Sequence, residues 1–296
     1  MNRAASSPAA AALPIVLVPV GTDEEALDAC LAALDAGTPA GTRVWLADDA
    51  QAGPRAAAII QRWLSVTHLQ AAHTRRAASI GEAAHIDQAL RACGEGDVAV
   101  LASDAQPAPG WLQQLVASLA RDAAIATATP WSNAGEAAAW PRIGEIAAIE
   151  HAPVALADAC MRLSTRHPEL PSAVGHAVLI RGIARTRAGG LDGASYRSWY
   201  ASLIDFSLRL SGLGWRNALC ENAFVLRNDE GCAVHGDMDR LSVRWPAWHA
   251  RLAGFLMEDP LHGLRAQLGA ELARRDSRST QRDLFLVQTP LPAGEG

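Results

Sequence analysis

Two short acidic stretches carry the side chains in this sequence best suited to polar chemistry. Asp48 and Asp49 follow the run TRVWLA (42–47), and Ser103 and Asp104 follow the run DVAVL (97–101). Both runs are mostly apolar, the pattern of strands covered on both faces of a sheet. Each precedes a segment with helical spacing, Ala56–Leu64 and Trp111–Arg121. The acidic residues therefore fall at the carboxyl ends of strands in βαβ units, where ligands of such sheets bind. Carboxylates there repel a bare phosphate but suit a divalent cation that bridges phosphate oxygens. An Asp pair after a strand also serves as a solvated turn or a helix N-cap, so residue type alone leaves both readings open.

The elements that must position these groups can be read from periodicity. Ile15–Val20 is a continuous β-type run, and Leu27, Cys30, Leu31 and Leu34 recur at helical spacing within Glu24–Ala36. Val66–Leu69 reads as a short strand and Gly81–Cys93 as a helix. After Ile125 the texture changes: Trp131–Pro141 reads as a loop, Ala147–Leu163 as a helix, Ala173–Ile180 as a strand, Leu203–Leu210 as a helix and Ala218–Leu226 as a strand. Residues 237–275 read as helical. The expectation is an α/β domain over 14–232, with a mainly parallel sheet flanked by helices. A C-terminal helical appendage covers 233–275, with loose tails at 1–13 and 276–296.

The totals exclude several function classes. Half of the 296 residues are hydrophobic, which excludes general disorder. A formal net charge of -5 leaves no electrostatic footprint for nucleic acid. The five cysteines, Cys30, Cys93, Cys160, Cys220 and Cys232, show no CxxC spacing, so neither a disulfide framework nor a metal finger is indicated and a reducing cytosol fits. Pro14 and Pro19 interrupt the apolar N-terminal stretch, and no run reaches the ~18 apolar residues of a membrane helix. The expectation is a cytoplasmic protein, with peripheral contact at the inner face of the membrane as the second location. CGEG (93–96) lacks the Lys-Ser/Thr of a phosphate loop.

Taken in order, LPIVLVPVG (13–21), VWLADDA (44–50), IGEAAHIDQALRACGEGDVAVLASDAQPAPGWLQQL (80–115), TPWSNAGE (129–136), WPRIGE (140–145), SAVGHAVLIRG (172–182), AGGLD (188–192), DFSLRLSGLGWRNALCENAFV (205–225) and DRLSVRWPAWHARLAGFLMEDPL (239–261) resemble blocks of glycosyltransferase family 2, as found in bacterial surface-polysaccharide (O-antigen) synthesis. The resemblance implies a GT-A fold that binds a nucleoside-diphosphate sugar. It implies transfer of the sugar, with inversion, to a glycan, lipid-linked or protein acceptor, and partners among other glycan-assembly proteins. It also implies a divalent cation, Mn or Mg, on the diphosphate. Carried over residue by residue, Pro19 and Val20 border the donor, and Asp49, with Asp48 beside it, accepts from the ring N–H of the base. Asp87 stands where the family has Asn facing the donor. Ser103 and Asp104 end the D-x-D region, with Asp104 the metal ligand. Trp131, Asn133, His176 and Tyr200 fall on the acceptor side.

The departures from the family pattern concern the chemical step. Gly21 replaces an aromatic near the base, and Ala102 replaces the first acidic residue of the D-x-D region. Arg227 replaces a His that is often a metal ligand; a guanidinium cannot ligate a cation, but it can stabilise a departing diphosphate without metal. Pairing with Asp229 or Glu230 is its alternative. The positions of the family's acidic pair, whose second member is the catalytic base, hold Ser202 and Leu203. Asp205 matches the family's later, structural carboxylate; it takes the base's role only through a shifted local backbone, and Tyr200 and His176 are the alternatives. Two readings stay open: an active inverting transferase, or a non-catalytic relative that binds a nucleotide sugar or a partner as a scaffold.

Overall fold

The computed structural model describes residues 13–229 and 231–286; of the two expected tails, 1–12 and 287–296 lie outside the described residues. The chain runs β1 (Ile15–Pro19), α1 (Glu24–Gly37), β2 (Arg43–Asp48), α2 (Pro54–Val66), β3 (Gln70–Arg75), α3 (Glu82–Ala92), β4 (Val98–Leu101), β5 (Ala105–Pro107) and α4 (Trp111–Arg121). It continues with β6 (Ile125–Trp131), α5 (Pro153–Cys160), β7 (Ala177–Ile180), α6 (Gly182–Ala188), α7 (Trp199–Gly212), β8 (Arg216–Arg227), α8 (Asp237–Arg244), α9 (Trp248–Glu258) and α10 (His262–Leu286).

Among the described residues the strands form one sheet of eight, ordered β3-β2-β1-β4-β7-β6-β8-β5. Its first half is parallel, as the alternation of apolar runs and helices requires. Beyond β4 the sheet is mixed: β7 is antiparallel to β4 and β6, β8 is parallel to β6, and β5 is antiparallel to β8. One face carries α1, α2 and α4 over Val16, Val18, Leu46 and Leu101. The other carries α3, α6 and α7 over Leu17, Val100, Val178 and Ile180. The alternation of Val16, Leu17 and Val18 between the two clusters is the period of two along a strand buried on both sides.

Several elements differ from the sequence expectation. The third strand is Gln70–Arg75, not Val66–Leu69: it is a sheet edge, half-exposed and polar, and so lacks the apolar signal that buried strands carry. β6, IATATPW, is fully buried yet between Ile125 and Trp131 holds only Ala, Thr and a proline; a register shift against β8 at Pro130/Trp131 accommodates the missing N–H. The helix expected from Ala147 begins only at Pro153, a favourable first helical position. At the end of the chain α10 continues to Leu286, so 276–286 is helical rather than loose. Leu261, Leu264, Leu268 and Leu272 pack on Leu156, Cys160, Leu219 and Phe224, which joins this helix to β8 and α5 in one cluster.

Close backbone approach sets one firm limit on sequence. Gly182 opens α6, and its amide donates to Asp97 at 2.8 Å. A Cβ there would overlap the carbonyl oxygen of Glu95 and the backbone of Gly96. Gly182→Ala is expected to lower stability by about 2–3 kcal/mol, read as a shift of the denaturant midpoint with unchanged slope; an unaltered midpoint would show that the 95–96 turn yields freely.

Candidate functional site

The carboxyl ends of β1, β2 and β4 open onto a cavity of about 570 Å³, within the range of small-molecule sites. Pro19 and Val20 line it from β1, Asp49 from the turn after β2, and Ala102, Ser103 and Asp104 from the turn after β4. Glu82 and His85 enter from α3, Arg197 and Trp199 from the start of α7, and Arg227 from the end of β8. Gly21 is needed for closure: its amide donates to Ser103 Oγ at 2.9 Å, and a Cβ would meet that oxygen at 2.8 Å. A side chain at this position would have to displace the Ser103 hydroxyl.

Asp49 is a fixed acceptor at the floor. Its carboxylate accepts from Ser79 Oγ at 2.6 Å, from the Ile80 amide at 3.0 Å and from the Gly81 amide at 2.9 Å. Burial would raise its pKa, but the Ser79 hydroxyl and the two amides outweigh it and hold the group below the usual carboxylate range. Arg76 Nε stands 3.6 Å from Oδ1 as a counter-charge, so the carboxylate is held on several sides before any ligand arrives. Asp48 faces away: it accepts from the Gln51 amide and pairs with Arg75 at 3.0 Å. Of the two acidic neighbours, then, only Asp49 reaches the cavity.

Two residues of α3 were missed in the sequence. His85 is buried, and neither ring nitrogen has a hydrogen-bond partner among the described residues; Nδ1 lies 3.7 Å from Asp49 Oδ1. Buried polar atoms without partners cost free energy unless something else satisfies them, and His85 lines the cavity. Glu82 opens α3 and reaches the first amide of α7, accepting from Trp199 N at 2.8 Å. Although solvent reaches it through the mouth of the cavity, crowding by the walls raises its pKa. The Trp199 amide and Arg227 oppose that shift, and Asp104 and Asp237 add to it. The only sequence signal for either was its place on the helix that faces the acidic strand ends.

Asp104 and Arg227 meet at the inner end of the cavity. Arg227 Nε donates to both carboxylate oxygens, each at 2.9 Å. Asn133 fixes the backbone of the same arginine, accepting from its amide at 2.8 Å and donating to its carbonyl at 2.8 Å. Asn133 is thus a backbone clamp rather than an acceptor contact. A divalent cation on a diphosphate takes one or two protein carboxylates beside phosphate and water oxygens, and this corner leaves none free of a guanidinium at the D-x-D position. Ala102 has none to give, Asp104 is engaged by a cation already, and no group of three His, Cys, Asp or Glu among the described residues can hold a metal. The residues present do not fit the Mn or Mg that the sequence resemblance implies.

Other expected site residues lie elsewhere. Asp205 is wholly buried and bound by Arg209 at 2.8 Å and Trp245 Nε1 at 2.8 Å, with Arg244 at 3.3 Å. It lies one helical turn beyond Ala201, on the side of α7 facing α8. Asp87 pairs with Arg91 and accepts from the Leu191 amide. Trp131 is a core residue beneath Arg265. His176 is buried with Nε2 3.0 Å from the Pro130 carbonyl; burial, then the charge of Arg227, depresses its pKa to about 3, so it stays neutral. Tyr200 does reach a cavity, a small side chamber shared with Glu136, Trp199 and Arg227, where its hydroxyl donates to Glu136 Oε1 at 2.9 Å. Asp205→Ala is expected to cost about 3 kcal/mol by removing the buried carboxylate that half-buried Arg209, Arg244 and Trp245 share, seen in thermal or denaturant unfolding, while nucleotide affinity of the folded variant stays unchanged. Loss of affinity with full stability would return Asp205 to the site.

Comparison with known proteins places the fold. The family model described as Glycosyl transferase family 2 matches residues 15–181. The curated protein sequences give no match. Among solved structures the chain is similar to GalNAc-T7 with UDP, GalNAc and Mn2+ (TM-score 0.59, 12% identity, 89% of this chain and 55% of that one). It is also similar to the mannosyltransferase PcManGT from Pyrobaculum calidifontis with GDP-Man and Mn2+ (0.55, 14%, 97% and 81%). A third is S. aureus TarS 1-349 in complex with UDP-GlcNAc (0.50, 12%, 94% and 76%). This chain spans about half the length of GalNAc-T7. At these identities the likeness is one of fold, the GT-A fold.

Proposed function

The chain belongs to glycosyl transferase family 2, and from that premise we propose that it transfers a sugar from a nucleoside-diphosphate donor to an acceptor hydroxyl, with inversion. The observation that carries this reading is the cavity at the strand ends, where a fixed carboxylate, an unpartnered buried imidazole and a fixed guanidinium line one volume. In this reading Asp49 receives an N–H of the base, which takes its place beside Arg76, and His85 supplies a second polar contact to the nucleoside. The diphosphate lies toward Arg227. The side chamber of Tyr200 and Glu136 admits the acceptor, a hydroxyl of a glycan, a lipid-linked intermediate or a protein, in cytoplasmic polysaccharide assembly. No helix among the described residues is long and apolar enough to cross a membrane.

The chemical step needs a group to take the hydroxyl proton as the acceptor oxygen bonds to the anomeric carbon and the bond to the diphosphate oxygen breaks. Positions 202 and 203 cannot supply it, being a buried Ser and a buried Leu. Glu82 is the proposed base: it reaches the N-terminus of α7 from another element, and its raised pKa makes it the stronger proton acceptor. A base with a raised pKa is ionised above that value and protonated below it. The acid limb of kcat should therefore lie above the ordinary carboxylate range, with activity lost as pH falls through it.

A scaffold that binds a nucleotide sugar without turning it over is the second reading, favoured by the lack of any carboxylate in the first turn of α7. Donor binding by calorimetry, followed by assay of donor hydrolysis and transfer, separates the two. For the transferase, Glu82→Gln should lower kcat by about 10²–10⁴ with little change in donor Kd, and Glu136→Gln should lower it less. His85→Phe should weaken nucleotide binding by about ten-fold. Binding without turnover in the native protein would select the scaffold.

A further inference from the structure

The corner of the cavity where the family resemblance places a metal ion is instead built around a guanidinium. Arg227 is held at both ends. Its backbone N–H and C=O are bound by the one Asn133 amide, and its Nε by both oxygens of Asp104. Its side chain is 14% exposed, and that exposure opens into the cavity. Because Asp104 takes the Nε–H, the Nη groups stay available; among the described residues none of them makes a hydrogen bond. Arg197 lines the same cavity and makes no ion pair among the described residues. Two guanidiniums thus stand with Asp104 and Glu82 at this end.

We infer that the Asp104–Arg227 pair replaces the divalent cation in this cleft: the fixed guanidinium, aided by Arg197, holds the diphosphate of a nucleotide, and binding needs no metal. The inference rests on the donor reading of the cavity. Its physical basis is threefold. A guanidinium presents planar N–H donors that match phosphate oxygens, and a positive charge that no change of pH near neutrality removes. A cation brought to Asp104 would have to displace Arg227 from it and then remain beside that like charge. The conformational freedom Arg227 would lose on binding is already lost, because four hydrogen bonds orient it before any ligand arrives. Asp104 is on this account a positioning residue for Arg227 and not a metal ligand.

The test uses the full chain and three probes, UDP, GDP and dTDP, titrated by calorimetry in EDTA and again in excess Mn2+, with Mn2+ alone as a fourth titration. At least one nucleotide should bind, with Kd the same within about two-fold in both buffers, and Mn2+ alone should show no saturable binding. Arg227→Gln should weaken that Kd by about ten-fold or more in either buffer, the cost of a charged phosphate contact. Arg227→Lys should fall between the two, since it keeps the charge and loses the fork. Thermal melting of each variant confirms that the fold is intact. Tightening by Mn2+ of about ten-fold or more, or an Arg227→Gln variant that binds as the native protein does, overturns the inference and leaves the donor reading standing. Failure of every nucleotide to bind in both buffers overturns the donor reading and this inference with it.

Discussion

The pairing of β5 with β8 is the contact on which the cleft depends. β5 is only three residues long, yet its register sets Ala105 opposite Arg227 and so brings the turn after β4 against the end of the long strand β8. Without it Asp104 and Arg227 would belong to separate parts of the sheet, β4 in the parallel half and β8 near the far edge. The contact also closes the account of polar groups at this corner. Asp104 would otherwise be a carboxylate facing other carboxylates, and Arg227 a half-buried cation without a counter-charge. Asn133 completes it by satisfying the backbone of Arg227 where β8 leaves the sheet.

From that corner the rest of the cavity follows by packing. Asp49 ties the end of β2 to the loop before α3, which sets the height at which Glu82 and His85 enter. Asp237 of α8 accepts from the amides of Arg197 and Ser198 and from the Ser198 hydroxyl, and so holds the N-terminus of α7 against the cavity. Glu82 completes the capping of the same helix from across the cleft. Two helices thus meet end to end over the strand termini, and carboxylates satisfy the first amides of α7. The carboxylate that α7 lacks in its own first turn is supplied in space by the residue that caps it.

The GT-A architecture and the family were legible in the sequence. Apolar runs alternating with helical spacing require a covered parallel sheet, and the ordered blocks from LPIVLVPVG onward carry the resemblance over most of the chain. That Asp49, Ser103 and Asp104 line the cavity was legible because they sit at strand ends of such a sheet, and a strand end is a local feature. β3 and β6 were not, because an edge strand is polar and a buried strand of Ala and Thr has no strong period. The resemblance singled out Asp49 over Asp48, but residue type and strand-end position did not, since adjacent aspartates differ only in which side of the strand they leave.

What only the tertiary structure decided is which charges stand together. Asp205 is one carboxylate near the expected catalytic position in sequence, but the helix turns it into a buried cluster with Arg209, Arg244 and Trp245. Glu82 and His85 are ordinary helix residues in sequence and become cavity residues because α3 crosses the strand ends. Arg227, for which a surface pair with Asp229 or Glu230 was the alternative, is bound to Asp104, 123 positions away. The sequence by itself determined the period of the elements, hence the sheet and the edge at which a ligand must bind. The pairing of distant groups was decided by strand register and helix orientation, because those depend on the summed packing of the whole core and leave no mark at the residues they bring together.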